Sequence, residues 1–157
     1  MIIFALYKTI DMDIAVQDIE KQRAIDNRYL SMASIWATNS YCKRLSVGAL
    51  IVKDKMIISD GYNGTPSGFD NVCEDCEGKT HPFVLHAEAN AITKLAKHGG
   101  RGSEGATLYC THSPCIECAK LIIQAGIKRV VYGSLYRDDA GLILLKNAGI
   151  EVERIVQ

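Results

Sequence analysis

The sequence predicts an α/β protein, a single three-layer α/β/α domain whose sheet carries helices on both faces. Three observations lead there. From about residue 106 onward, short runs rich in Val, Ile and Tyr alternate with amphipathic stretches of ~10–12 residues, the pattern of crossover connections. The chain has 157 residues, 48% of them apolar and 23% charged, enough for one real core and little more. No linker, repeat or low-complexity stretch divides it.

The elements follow in order. Asp18 is placed to cap a helix running to about Asn39, with Ile25, Tyr29, Met32, Ala33 and Trp36 on one face and Trp36 in the core. Residues 1–17 then form a tail or extension to a domain spanning 18–157. The apolar opening MIIFAL reads as a strand, a tail or an upstream start, since Met12 is a second candidate first residue. VGALIV (47–52), a turn at Lys53–Lys55 and MIIS (56–59) make a β-hairpin. Residues 61–80, GYNGTPSGFDNVCEDCEGKT, are a loop by composition. A second helix fits His86 to His98, stopped by Gly99–Gly100. ATLYCT (106–111) is a strand, PCIECAKLIIQA (114–125) a helix stopped by Gly126, and KRVVYG (128–133) a strand. Pro114 suits the first helical position, where a missing N–H costs nothing. Asp138 or Asp139 caps a helix to Ala148, stopped by Gly149, and EVERIV (151–156) closes as a strand. The order is α-β-β-α-β-α-β-α-β.

Lys plus Arg and Asp plus Glu are 18 each, so the net charge is zero. That argues against a general polynucleotide or membrane-surface binder, either of which shows a basic excess. No apolar run approaches the ~20 residues of a membrane span, and no basic segment precedes MIIFAL as an export signal would require. The expected location is the cytoplasm.

Six cysteines need a reason: Cys42, Cys73, Cys76, Cys110, Cys115 and Cys118. A disulfide framework belongs mostly to short chains that cannot build a core, and this one can. Four of the six form two CxxC pairs, which favours metal. As one structural zinc the pairs are badly spaced, because residues 77–114 separate them where ribbon-like sites have ~15–20 residues. Cys115 and Cys118 fall on the first turn of a helix, whose positive dipole end favours the zinc-binding thiolate. His86 also begins a helix and brings a third donor. Three protein donors leave one corner of a tetrahedron open, the mark of a catalytic zinc. Glu88, two residues on, is badly placed to ligate but well placed to move protons. A lone CxxC is otherwise a redox pair or half a zinc ribbon, and a lone HxE usually a surface pair. Cys110, mid-strand, reads as a small buried apolar residue. His98 reads as a helix C-terminal cation, and His112 as a loop residue beside the metal ligands.

The pattern H-x-E…P-C-x-x-C is the signature of zinc nucleobase deaminases. The chain resembles the cytidine deaminase-like superfamily, and within it the deoxycytidylate (dCMP) deaminases, from about Asn27 to Val156. The resemblance includes CKRLSVGALIV (42–52), GYNGTPSG (61–68), EGATLYCTHSPC (104–115) and AGIKRVVYG (125–133). It implies a cytidine deaminase-like fold with a mixed central sheet, and a catalytic Zn2+ on His86, Cys115 and Cys118. It implies that zinc-activated water attacks C4 of cytosine while Glu88 shuttles protons to N3 and to the departing amine. The product is dUMP, which supplies thymidylate synthesis. A neutral chain suits a free mononucleotide better than a polynucleotide.

Further expectations rest on the same resemblance. Asn63 is a candidate contact to sugar or base, or else a turn residue tolerating positive φ. Asn90 is a candidate substrate contact that can equally buttress the site from its helix. Arg44 and Arg137 are candidates for the 5′-phosphate, with Tyr136 beside the latter. Cys42, Cys73, Cys76 and His81 would close a second, structural zinc site of the Cys3His type. Family members also suggest a homo-oligomer such as a hexamer, with Mg2+-dependent dCTP activation and dTTP inhibition near the 61–68 segment. The competing readings are a cytidine deaminase, a tRNA adenosine deaminase and a non-catalytic zinc-stabilised module.

Overall fold

Among the described residues, nine elements follow one another in the expected order: α1 (Ile2–Ala37), β1 (Gly48–Lys53), β2 (Met56–Tyr62), α2 (Ala87–His98), β3 (Thr107–His112), α3 (Ile116–Gln124), β4 (Arg129–Ser134), α4 (Ala140–Asn147) and β5 (Glu151–Arg154). The computed structural model describes residues 2–98 and 102–156, with side chains from residue 14 onward. Gly99 and Gly100, the expected stop of α2, lie outside the described residues.

Asp54 and Lys55 both take positive φ, 51° and 62°, and join β1 to β2 by the tight left-handed turn that matches strand twist. The sheet order is β2-β1-β3-β4-β5. β1 runs antiparallel to β2 and β3, whereas β3, β4 and β5 are mutually parallel, so the sheet is mixed. The parallel half is wound through α3 and α4.

Alternation along the strands divides the core into two layers. Ala49 and Ile51 of β1, Leu108 and Cys110 of β3 and Val130 of β4 pack with Ala87 and Ala91 of α2, Ala119 and Ile122 of α3 and Leu145 of α4. Leu50, Val52, Tyr109 and Val131 face the other way onto Leu30 and Ala33 of α1. Each large apolar side chain so buried stabilises by roughly 1.5–3 kcal/mol. Two glycines let the helices press close. A Cβ on Gly48 would meet the Ala33 carbonyl oxygen at 2.0 Å, and one on Gly61 the Ala87 carbonyl oxygen at 2.2 Å. The second contact fixes where α2 begins.

The structure corrects the reading of α1. It begins at Ile2 instead of at an Asp18 cap, because no Gly or Pro occurs before Gly48 to interrupt it. Asp18 lies within the helix and pairs with Lys21 at 3.4 Å. The buried stripe is Asp26, Leu30, Ala33 and Ala37, turned about one position from the apolar face expected. Met32 and Trp36 are 44% and 38% exposed, and the Trp36 Nε1–H donates to Asp60 Oδ1 at 2.7 Å. An acid inside the stripe moved it. Asp26 is buried because Arg129 donates to both its oxygens, at 2.9 and 2.8 Å. Tyr109 Oη (2.7 Å) and Gln22 Nε2 (2.9 Å) add two more bonds to Oδ1. Arg129 also reaches Glu151 and Glu153 of β5, so one cluster ties α1 to three strands.

Candidate metal centre and its cavity

Two helix starts meet at the C-terminal edge of the sheet. His86 stands immediately before α2, and its carbonyl accepts the Asn90 N–H at 2.9 Å, the first bond of the helix. Cys115 is the N-cap of α3 with an extended backbone, and its carbonyl accepts the Ala119 N–H at 2.9 Å. Cys118 then falls in the first turn. Pro114 precedes the cap, two places before Ile116, which takes the first helical position expected for the proline. It is held from outside the helix, since a Cβ on Gly141 would come within 2.1 Å of the Pro114 carbonyl oxygen.

His86 Nδ1 lies 3.4 Å from Cys115 Sγ and 3.4 Å from Cys118 Sγ. Tetrahedral zinc, with Zn–S near 2.3 Å and Zn–N near 2.0–2.1 Å, sets nitrogen and sulfur donors about 3.6 Å apart. The spacing therefore fits zinc, and so does the imidazole–thiolate donor set. Without metal, hydrogen bonds from Cys118 and then His86 pull the Cys115 thiol down to about 3. Cys118 is pushed up by its bond to Cys115 and by burial. His86 is raised by its bond to Cys115, against burial. Metal binding displaces the protons that this triad holds.

Glu88 is 4% exposed, on the first turn of α2. Burial raises its carboxyl to about 7, and a hydrogen bond from its own main-chain N–H and then the nearby His86 charge offset this only in part. A carboxyl titrating near neutrality beside a metal triad is suited to giving and taking protons.

A cavity of about 240 Å³ opens onto His86, Glu88 and Cys115. Asn63, Arg44, Tyr136 and Arg137 also line it. Asn63 does not take positive φ, so the turn explanation does not apply. Instead its Oδ1 accepts the Val47 N–H and its Nδ2 donates to the Leu45 carbonyl, both at 2.8 Å. It stitches the wall and keeps one lone pair and one amide hydrogen for anything bound. The Arg44 N–H donates to Glu74 Oε1 at 3.1 Å, beside the Lys43 N–H at 3.0 Å, and Arg44 Nη1 donates to Thr80 Oγ1 at 3.3 Å. The Arg137 guanidinium lies 5.2 Å from the centroid of the Tyr136 ring.

Of the two roles open to Asn90 the contacts favour the buttress, and one expectation, the second zinc site, is corrected. Asn90 is not among the cavity's lining residues; its Nδ2 donates to the Tyr62 carbonyl at 3.0 Å and braces α2 against β2. The four-ligand set of Cys42, Cys73, Cys76 and His81 is not assembled. Cys42 and Cys73 form a disulfide, with S–S 2.11 Å, and sulfurs bonded to each other are not thiolate ligands. Cys76 is free and exposed, and His81 stacks on Phe83 with ring centroids 4.9 Å apart. Cys110 is buried as expected, and burial pushes its thiol well up.

Sequence reasoning missed Glu74, Thr80 and Ser113 in the wall, and it put His112 in a loop where it ends β3. Burial lowers the His112 pKa. Only Ser113 carried a signal, its place directly before Pro114–Cys115.

Comparison with known proteins follows the same residues. The family described as "Cytidine and deoxycytidylate deaminase zinc-binding region" matches residues 23–134. The deoxycytidylate deaminase of Saccharomyces cerevisiae is 37% identical over 88% of this chain and 49% of its own length, so the chain spans about half of that relative. The deoxycytidylate deaminase of Enterobacteria phage T4 is 37% identical over 78% of this chain and 86% of its own. Among solved structures, the dCMP deaminase of cyanophage S-TIM5 in complex with dCMP and dUMP superposes with TM-score 0.81 at 47% identity, covering 84% of this chain and 97% of that one.

Proposed function

The chain belongs to the cytidine and deoxycytidylate deaminase zinc-binding family, and from that premise we propose that residues 18–157 hydrolyse dCMP to dUMP and ammonia. In this reading His86, Cys115 and Cys118 hold zinc and Glu88 carries the protons. One observation bears most of the weight: a buried carboxyl held near neutrality beside three donors at zinc spacing, with His86, Cys115 and the carboxyl itself opening onto one cavity. Bound there, zinc supplies Lewis acidity and lowers the pKa of water in its open position. Glu88 takes a proton from the attacking water and gives it to N3 of the pyrimidine. A second transfer by Glu88 reaches the departing amine, so water and dCMP leave as dUMP and ammonia.

Similarity to the cyanophage enzyme crystallised with dCMP and dUMP supports the substrate. Arg44 and Arg137 are the cationic groups for its 5′-phosphate, with Tyr136 alongside, and Asn63 offers its spare donor and acceptor to sugar or base. The family resemblance also supports dCTP activation and dTTP inhibition with Mg2+, a homo-oligomer such as a hexamer, and cytoplasmic supply of dUMP for thymidylate synthesis. No helix among the described residues is long and apolar enough to cross a membrane. dCTP titration without activation or sigmoidal kinetics removes the regulatory part, and sedimentation as a monomer removes the oligomer.

The test is ammonia release from dCMP, deoxycytidine and CMP by purified protein, with Glu88→Ala as control. Preferred turnover of dCMP, lost in Glu88→Ala at unchanged zinc content, is the expected result. Turnover of deoxycytidine in preference to dCMP would overturn the assignment of substrate.

A further inference from the structure

Ser113 lies between the end of β3 and the cysteine that caps α3, and it is 2% exposed. Both of its polar groups reach across to the exit of β4. Its main-chain N–H donates to the Ser134 carbonyl at 2.9 Å, and its Oγ accepts the Tyr136 N–H at 2.8 Å. The two bonds grip the chain on either side of Leu135, which is turned out to solvent. A bend clamped at both ends delivers the next two residues, Tyr136 and Arg137, to the cavity wall. Beyond the clamp, the next amide held by a side chain is that of Ala140, whose N–H donates to Asp138 Oδ1 at 3.1 Å. Ser113 itself is anchored, because α4 presses on the adjoining Pro114 carbonyl so closely that Gly141 has no room for a Cβ. The arrangement is a fixed post holding a short arm.

We propose that Ser113 is a positioning residue whose hydroxyl holds the Tyr136–Arg137 arm where it meets the phosphate-bearing end of the substrate. This rests on the reading of the cavity as a mononucleotide site. The hydroxyl acts on the main chain of the arm, so its loss leaves the donors His86, Cys115 and Cys118 in place. It frees Arg137 to leave the wall. Binding of the phosphorylated substrate then suffers while the proton-transfer machinery does not.

Two experiments test it. Amide hydrogen exchange on the zinc-loaded wild-type protein reads the clamp without any substitution. The Tyr136 amide is expected to exchange at least tenfold more slowly than those of Leu135 and Arg137. Exchange as fast as its neighbours overturns the proposal. Steady-state kinetics read the consequence. Ser113→Ala is expected to raise KM for dCMP about tenfold, the scale of one hydrogen bond. kcat should stay within about twofold and zinc content should not change, while Ser113→Thr, which keeps the oxygen, restores KM. Deoxycytidine, lacking the phosphate, is expected to be little affected by Ser113→Ala. An unchanged KM, or a fall in kcat together with zinc content, contradicts the positioning role. If the wild-type protein does not turn over dCMP, the functional reading fails instead, and the exchange experiment still decides the clamp.

Discussion

Two carboxyl groups are buried on opposite faces of one sheet, and they behave in opposite ways. Asp26, on the α1 side, is 0% exposed, and burial alone would raise its pKa. Hydrogen bonds from Arg129, Tyr109 and Gln22 outweigh that and hold it below its ordinary value. Glu88, on the α2 side, is buried almost as fully, but what faces it offsets the burial only in part, and it rises to about 7. Both side chains are shut off from solvent, but at Asp26 the hydrogen bonds outweigh the cost of burial, whereas at Glu88 burial prevails. A saturated acid is a fixed charge that ties elements together. An acid on which burial prevails keeps a proton to give away, and this one sits where a metal triad and a cavity can use it.

The largest break of this contrast is at Glu88. Glu88→Gln keeps the shape and removes the titrating oxygen, and it is expected to cut kcat for dCMP about 10³-fold with zinc content unchanged. Asp26→Asn should do the reverse. With Arg129 left partly unpaired it is expected to cost about 3–5 kcal/mol by urea unfolding at pH 7, while the folded enzyme keeps its kcat. Normal stability of Asp26→Asn would show that the cluster is decoration.

pH sharpens the comparison, with opposite signs. Asp26 is lowered in the fold, so its contribution is present above the unfolded value of 3.8 and fades as pH falls below it. The gap between wild type and Asp26→Asn therefore closes in acid. Glu88 is raised from 4.5 to about 7, so in metal-free protein its contribution is full below 4.5 and is lost as pH climbs toward 7. Chelator-treated Glu88→Gln should match wild type at pH 4 and exceed it at pH 8, by on the order of 3 kcal/mol. A smaller effect is expected at the wall: Asn63→Ala removes two bonds to the Leu45–Val47 main chain and should cost about 1–2 kcal/mol and raise KM. Least affected is metal content on the disulfide side. Zinc analysis of unreduced protein should give about one atom per chain, since a triad with one open position takes a single ion. A second atom taken up after thiol reduction would return Cys42, Cys73, Cys76 and His81 to the role of ligands.

The same contrast explains what the sequence could disclose. His86, Glu88, Cys115 and Cys118 were legible because each pair sits on one helix start, where spacing along the chain is spacing in space. The strand and helix order was legible because the two core layers leave period-two and helical traces in the residues. Asp26 was not, since an acid on a helix looks like any solvated one until Arg129 and Tyr109 are seen to meet it from distant strands. The two roles of Asn90 could not be told apart, because its spacing from His86 fixes its turn of the helix but not that its amide faces Tyr62. The hold of Ser113 on Tyr136 was out of reach for another reason: its partner is a main-chain N–H, which every residue but proline carries. Cys42 and Cys73 lie 31 residues apart in the chain, so their pairing is a product of the fold.

The most direct measurement is ammonia release from dCMP by zinc-loaded wild type and Glu88→Gln, followed across pH with zinc content determined on the same samples. Robust turnover by wild type, a loss of about 10³-fold in Glu88→Gln and equal zinc in both are the predicted results. Comparable turnover by the two proteins would contradict the account, because the buried carboxyl would then carry none of the protons.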